Sequence, residues 1–119
     1  MNKIIIVGLG GFIGSSLRFI VSYFSSKFFG NNFPSGTLIV NFVGCLLMGF
    51  IMNVIPNSDM RLFLTTGILG GFTTFSTFSY ETVSLISEGR VLMGGLNAGL
   101  NLSFAIAGAY VGKALASLI

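Results

Sequence analysis

The chain has no histidine, a single cysteine at Cys45 and only three acidic residues in 119. Without histidine, neither a Ser-His-Asp nor a Cys-His catalytic centre is possible, and one chain cannot assemble a His/Cys zinc site. A lone thiol also rules out an intrachain disulfide. Charged residues make up 8% of the chain, against roughly 25% in a typical soluble domain, while 53% are hydrophobic. This is a membrane composition and argues against a soluble enzyme. A helix crossing a ~30 Å hydrocarbon core uses about 20 residues, so the length allows four or five crossings and one domain. The net charge of +3 comes from six Lys and Arg against three Asp and Glu. These charges are scattered singly and form no run or stripe, so nothing points to nucleic acid as a partner.

Four apolar stretches fill the chain, at about 4–23, 36–55, 61–86 and 91–117, with short polar breaks between them. Their lengths suit transmembrane helices and are too great for barrel strands of about 10 residues. Pro34 and Pro56 fall in the breaks, Ser35 and either Asn57 or Ser58 are placed to cap the helix that follows, and Gly89 separates the last two stretches. The first stretch has no convincing Ala-x-Ala cleavage site and is followed by further spans, so it reads as retained rather than as a signal peptide. The expected fold is all-α: one four-helix transmembrane domain over 1–119.

If the helices alternate in direction, Lys3, Arg61 and Lys113 fall on one side of the bilayer, and Lys27, Arg90 and, if counted from its nearer end, Arg18 on the other. Three against three gives no positive-inside bias. The simplest consequence is dual topology, with the two orientations paired as an antiparallel homodimer. The alternative is that so few charges carry no orientation signal. Glycine, 17 residues in all, falls into small-xxx-small pairs at Gly10 and Gly14, Gly67 and Gly71, and Gly108 and Gly112. Such faces let helix backbones approach closely in lipid. A bundle this small and tight has little room for a pore in its own core, so a transport path fits better at an interface between subunits.

The third stretch contains Gly70-Gly71-Phe72-Thr73-Thr74-Phe75-Ser76-Thr77-Phe78-Ser79. Paired glycines and β-branched threonines weaken helix continuity, and a break at bilayer depth is tolerated only where protein or a polar cavity covers it. Carbonyl oxygens freed by a break suit a hard cation such as Na⁺, and the new helix N-terminus attracts anions. Phe72, Phe75 and Phe78 recur at helical spacing with hydroxyls between them. Pore lining is one reading of them; ordinary packing with hydroxyls bonded to their own helix is the other. Asn41, Asn97, Asn101 and Arg18 also lie within apolar stretches and should point into protein or a cavity. For the asparagines, interhelical hydrogen bonding competes with a place on a pathway; for Arg18, snorkelling competes. Amides, hydroxyls, a guanidinium and the positive edges of aromatic rings are all partners for an anion.

Gly10-Gly11-Phe12-Ile13-Gly14-Ser15 with Arg18, then Gly36-Thr37-Leu38-Ile39-Val40-Asn41-Phe42-Val43-Gly44, then Thr66 through Glu81, then Glu88-Gly89-Arg90 closely resemble the Fluc (CrcB-type) fluoride channels over essentially the whole chain. The resemblance implies a dual-topology antiparallel homodimer in the cell's inner (plasma) membrane, with two fluoride pathways along the subunit interface. It also implies passive fluoride export and a central Na⁺ held by backbone carbonyls. Position by position, Gly70 and Thr73 match the carbonyls that hold Na⁺, Phe75 and Phe78 the pore phenylalanines, and Asn41 the pore asparagine. Thr74, Ser76 and Thr77 lie in the same motif. Asn97 and Asn101 fall on the family's polar track along the fourth helix, where the next position here is the apolar Ala105, and Arg18 matches a first-helix arginine. Glu81 stands either as a vestibule partner for an anion or as an interfacial acid pairing with Arg90. Two other classes share the size: a small dual-topology proton-coupled multidrug exporter, which needs an acid in its first helix where this chain has Arg18, and a scaffolding subunit, which needs no broken, phenylalanine-lined third helix.

Overall fold

Residues 2–119 are described by the structure, a computed structural model. Helix α1 (Lys3–Phe29) starts at Asn2, whose side-chain oxygen accepts from Ile4 N–H at 2.8 Å. It ends where Gly30 adopts φ 78°, a left-handed conformation that costs glycine little. The helix runs on past the polar Ser25-Ser26-Lys27 because both hydroxyls find partners, Ser25 with Ser35 at 2.5 Å and Ser26 with Asn31. Helix α2 (Ser35–Val54) follows. Ser35 does not cap it as its position suggested: it is the first helical residue, and its hydroxyl is turned toward Ser25. Ser58 does cap the short α3 (Asp59–Leu62), accepting from Arg61 N–H at 3.2 Å.

α3 continues directly into a π-helical segment, π1 (Phe63–Leu69), and then α4 (Gly70–Phe72). Helical structure lapses over residues 73–75 and resumes in α5 (Ser76–Ser87). After Glu88 and Gly89, the latter at φ 83°, α6 (Val91–Ala116) completes the chain. Helices α1, α2 and α6 are each long and apolar enough to cross a membrane, and the long axis of 48 Å exceeds the ~30 Å hydrocarbon thickness. There is no strand among the described residues.

α2 packs along α6, α5 lies on α6, and α1 runs against π1 and α4. Glycines make these contacts backbone to backbone. A Cβ on Gly10 would lie 2.7 Å from the Phe63 oxygen and 2.8 Å from Gly67 Cα; one on Gly14 would strike the Ile68 carbonyl. Across the α2–α6 seam, Gly108 and Gly112 meet the carbonyls of Phe42 and Leu46. Lipid offers no hydrophobic drive between helices, so such close approach supplies the packing attraction. The large apolar side chains instead face outward: Phe12, Phe19, Leu92 and Ile106 are all exposed on the protomer.

Gly14→Ala should therefore destabilise the fold by about 1–3 kcal/mol through overpacking. Gly8→Ala, where an added Cβ has nothing within 4 Å, should be neutral. Unfolding curves in detergent would compare the two, and equal curves would mean that the α1–π1 contact is not close-packed.

Candidate functional site

The third apolar stretch carries the site because its two helical pieces are held by different neighbours. α1 grips π1 and α4, and the Arg18 Nε donates to the Gly71 carbonyl at 3.0 Å. α6 supports α5 on the other side. The lapse sits between these two bodies. Gly70 and Gly71 remain helical, and the turn away from helix comes at Thr73, with φ −85° and ψ 158°. Gly71 serves close approach instead: a Cβ there would lie 2.7 Å from the Gly11 oxygen.

Asn41 closes the lapse. Its side-chain oxygen accepts from Thr74 N–H at 2.9 Å, and its amide nitrogen donates to the Thr74 carbonyl at 3.0 Å. One side chain thus pairs both polar groups of Thr74, as a neighbouring strand would. The same nitrogen donates to the Asn101 side-chain oxygen at 3.0 Å, and Asn101 donates in turn to the Asn97 side-chain and main-chain oxygens, each at 2.9 Å. Asn97 donates to the Thr82 hydroxyl at 3.0 Å, which donates to the Phe78 carbonyl at 2.9 Å. All three asparagines are buried, Asn97 completely. Both amide protons of Asn41 are engaged within the protomer. Buried amides left unpaired are costly, and this chain of bonds pairs them.

The Thr74 hydroxyl accepts from Thr77 N–H at 3.1 Å and caps the first turn of α5; it also lies 3.4 Å from the Ser76 hydroxyl. Thr73 bonds back to the Leu69 carbonyl at 3.0 Å. Phe75 and Phe78 meet edge to face, with centroids 5.3 Å apart at 64°. Phe75 is 71% exposed and Phe78 only 7%. A cavity of about 200 Å³ brings together Asn41, Cys45, Thr73, Thr74, Phe75, Phe78, Asn101, Leu102 and Ala105. Arg18, Ser76, Thr77 and Asn97 do not line it. No described residue donates a hydrogen bond to the main-chain oxygens of Gly70 or Thr73: Thr73 N–H goes to Leu69, Thr74 N–H to Asn41 and Thr77 N–H to Thr74.

A second cavity, of about 320 Å³, opens where the α1–α2 and α5–α6 connections meet, and its lining includes Thr37, Glu81, Glu88 and Arg90. Glu81 accepts from the Thr37 hydroxyl at 2.7 Å, and its other oxygen is buried without a partner. Arg90 donates to the Asn32 carbonyl rather than to Glu81. Sequence reasoning did not reach three of these contributors. Cys45 is one turn beyond Asn41 on α2, Thr37 one turn before it, and Thr82 one turn beyond Phe78 on α5. The i±4 spacing from residues already singled out was the available signal.

A family model described as CrcB-like protein, Camphor Resistance (CrcB), matches residues 5–113. This chain belongs to the CrcB family. Among its relatives, a protein of Clostridium novyi (strain NT) named "Fluoride-specific ion channel FluC" is 53% identical, over 97% of this chain and 94% of its own. Proteins of the same name from Ruminiclostridium cellulolyticum and Shewanella sp. (strain ANA-3) are 44% and 43% identical, covering 100% and 97% of this chain and 95% and 96% of their own. The CrcB relatives are named as channels, and the chain belongs with channels rather than with enzymes. Its long apolar helices make it a multi-pass membrane protein.

Asn41→Leu should leave the Thr74 N–H and C=O unpaired, at about 1–3 kcal/mol for each buried group. Hydrogen exchange at the Thr74 amide should then accelerate relative to neighbouring amides of α5. Unchanged protection would mean that Asn41 does not hold the lapse.

Proposed function

We propose that this chain forms a fluoride-selective channel, built from two copies in opposite orientations, that lets fluoride leave the cell down its own gradient across the plasma membrane. The observation that carries this reading is the convergence, at one cavity, of two phenylalanine rings, threonine hydroxyls and a non-helical backbone braced by Asn41. The names of the relatives support fluoride as the ion. Fluoride is small and strongly hydrated, so a selective path must offer close donors in a narrow, dry space. Ring edges of Phe75 and Phe78 carry positive charge, and the hydroxyls of Thr74, Ser76 and Thr77 add donors along the same stretch. Asn41, Asn97 and Asn101 fix the wall, and Arg18 holds the start of the lapse through Gly71. The cavity around Glu81 serves as the vestibule.

The antiparallel pair rests on two supports. Lys and Arg divide three against two across the helix ends, and three against three when Arg18, within α1, is counted from its nearer end. Around the lapse, Gly70, Phe75 and Ser76 are exposed on the protomer's outer surface, and the irregular backbone at Phe75 would not be tolerated facing lipid at membrane depth; a second copy would cover it. The free oxygens of Gly70 and Thr73 fit a hard cation, and Gly70 presents no side chain to hinder approach. These carbonyls from two copies would hold a central Na⁺, whose charge would offset unpaired carbonyl dipoles in a low-dielectric setting.

Purified protein in liposomes should release fluoride when a fluoride gradient is imposed, without ATP or a proton gradient, and should retain chloride. Phe75→Ile and Phe78→Ile should cut the flux at least about tenfold while the protein still elutes as a dimer, since an aliphatic side chain has no polarised edge. Chloride release equal to fluoride release, or flux that stops when the proton gradient collapses, would overturn the reading.

Within the protomer, a Cβ on Gly70 would meet only the Thr65 oxygen, at an ordinary 3.7 Å. Gly70→Val should therefore leave the protomer folded yet weaken dimerisation and flux, whereas Thr73→Ser, which keeps the backbone ligand, should behave like the parent. Cysteine labelling of a loop in membranes should find both orientations. A single orientation would overturn the antiparallel pair and leave fluoride transport to be judged by the liposome assay alone.

A further inference from the structure

Resting on the channel reading above, we infer that Thr82 is a positioning residue: its hydroxyl closes the far end of the asparagine chain in the direction that the Thr74 peptide fixes at the near end, and so helps hold Asn41 against Thr74 and the wall beside Phe75 and Phe78.

A threonine hydroxyl has one proton. Thr82 gives it to the Phe78 carbonyl at 2.9 Å, so its lone pair faces the Asn97 amide nitrogen at 3.0 Å. The Asn97 oxygen must then face the Asn101 nitrogen at 2.9 Å, the Asn101 oxygen the Asn41 nitrogen at 3.0 Å, and the Asn41 oxygen the Thr74 N–H at 2.9 Å. Five consecutive links, from the Thr74 N–H to the Phe78 carbonyl, share one direction. The two ends of a carboxamide are nearly the same size, so packing alone cannot choose between them. Inverting any one amide would set two NH₂ groups or two oxygens face to face at about 3 Å, a spacing at which only donor and acceptor are compatible.

The chain is also closed. It leaves α5 at the Phe78 carbonyl, passes through α6 and α2, and returns to the Thr74 peptide four residues earlier. Phe75 lies inside that span, and Phe78 supplies one anchor. At the Thr74 end the peptide N–H and C=O fix the polarity; at the other end Thr82 does. Asn97 is fully buried, and its nitrogen has no other acceptor among the described residues. Removing the Thr82 oxygen strands that nitrogen, and its escape by inversion confronts the Asn101 nitrogen. The disturbance passes link by link to Asn41.

A hydroxyl that merely bonds back to its own helix would have none of these consequences. The test compares Thr82→Val, of the same shape, with Thr82→Ser, which keeps the hydroxyl, each made alone and in the Asn97→Leu background. Two measurements are taken: fluoride efflux from liposomes and the side-chain amide signals of Asn41 in isotope-labelled protein in detergent. Thr82→Val should lower efflux at least about tenfold and shift the Asn41 amide signals, although the two residues share no bond. Thr82→Ser should restore both. With the chain already cut by Asn97→Leu, Thr82→Val should have no further effect, the non-additivity of a connected path. Should Thr82→Val fail to fold, Thr82→Cys, which lacks the same γ-methyl as Thr82→Ser and carries a much weaker acceptor, is read against Thr82→Ser by the same criteria. Unmoved Asn41 signals, parental efflux, or an equal loss in both backgrounds would overturn the inference. Parent protein that passes no fluoride would instead overturn the channel reading, and the amide signals would still decide the role of Thr82.

Discussion

The grip of the Asn41 side chain on the Thr74 peptide is the interaction on which the rest of the site depends. A helix that stops inside an apolar environment leaves N–H and C=O groups that water cannot reach, each costly if unpaired. Asn41 satisfies both groups of Thr74 at once. Because Thr74 N–H is taken by Asn41, the Gly70 carbonyl loses its usual helical partner four residues on. The capping of α5 by the Thr74 hydroxyl likewise draws Thr77 N–H away from Thr73. Two main-chain oxygens are thereby freed on one short stretch.

That local arrangement persists because rigid bodies hold it from both sides. Before the lapse, π1 and α4 are pressed on α1 through glycines that allow backbone contact, and Arg18 adds a bond to the Gly71 carbonyl. After it, α5 rests on α6, and α6 is sealed to α2 by Gly108 and Gly112. The π-helical hydrogen bonding, with Gly70 N–H reaching back five residues to Thr65, belongs to the same region, and such irregularities recur at functional sites. The departure from helix geometry is thus confined to residues 73–75 and flanked by close-packed neighbours.

The polar side chains divide their work by burial. Asn97 and Asn101 are enclosed and their hydrogen bonds are directed into the protein. Phe75 projects outward while Phe78 is enclosed beneath it, edge to face. The surface around the lapse therefore offers ring edge and hydroxyl first, with the Asn41 and Asn101 amides set deeper in the cavity wall. Glu81 and Thr37 stand apart, at the larger cavity near the helix ends.

How far these features were legible in the sequence follows from the range of the forces involved. Scarce charge, four long apolar stretches and breaks at Pro34, Pro56 and Gly89 are local properties, and they determined an all-helical membrane chain with its connections in place. The motif from Gly70 to Ser79 marked the site, because glycine, threonine and phenylalanine at bilayer depth are expensive unless used. Where the helix actually lapses was not local. Glycines and threonines of the motif both looked weak; Gly70 and Gly71 stay helical, Gly71 pressed on α1, and the lapse falls at Thr73 and Thr74, where Asn41, 33 residues away, supplies a competing partner. Ser35, a cap by position, is drawn to Ser25 for the same kind of reason. Thr82 showed only its one-turn spacing from Phe78, because an isolated threonine becomes a terminus only when Asn97 is packed against it. The sequence by itself determined which segments are helical and which residues are too polar to face lipid; the tertiary structure alone decided which of those polar groups meet, because a hydrogen bond acts over about 3 Å and only folding brings α2, α5 and α6 that close.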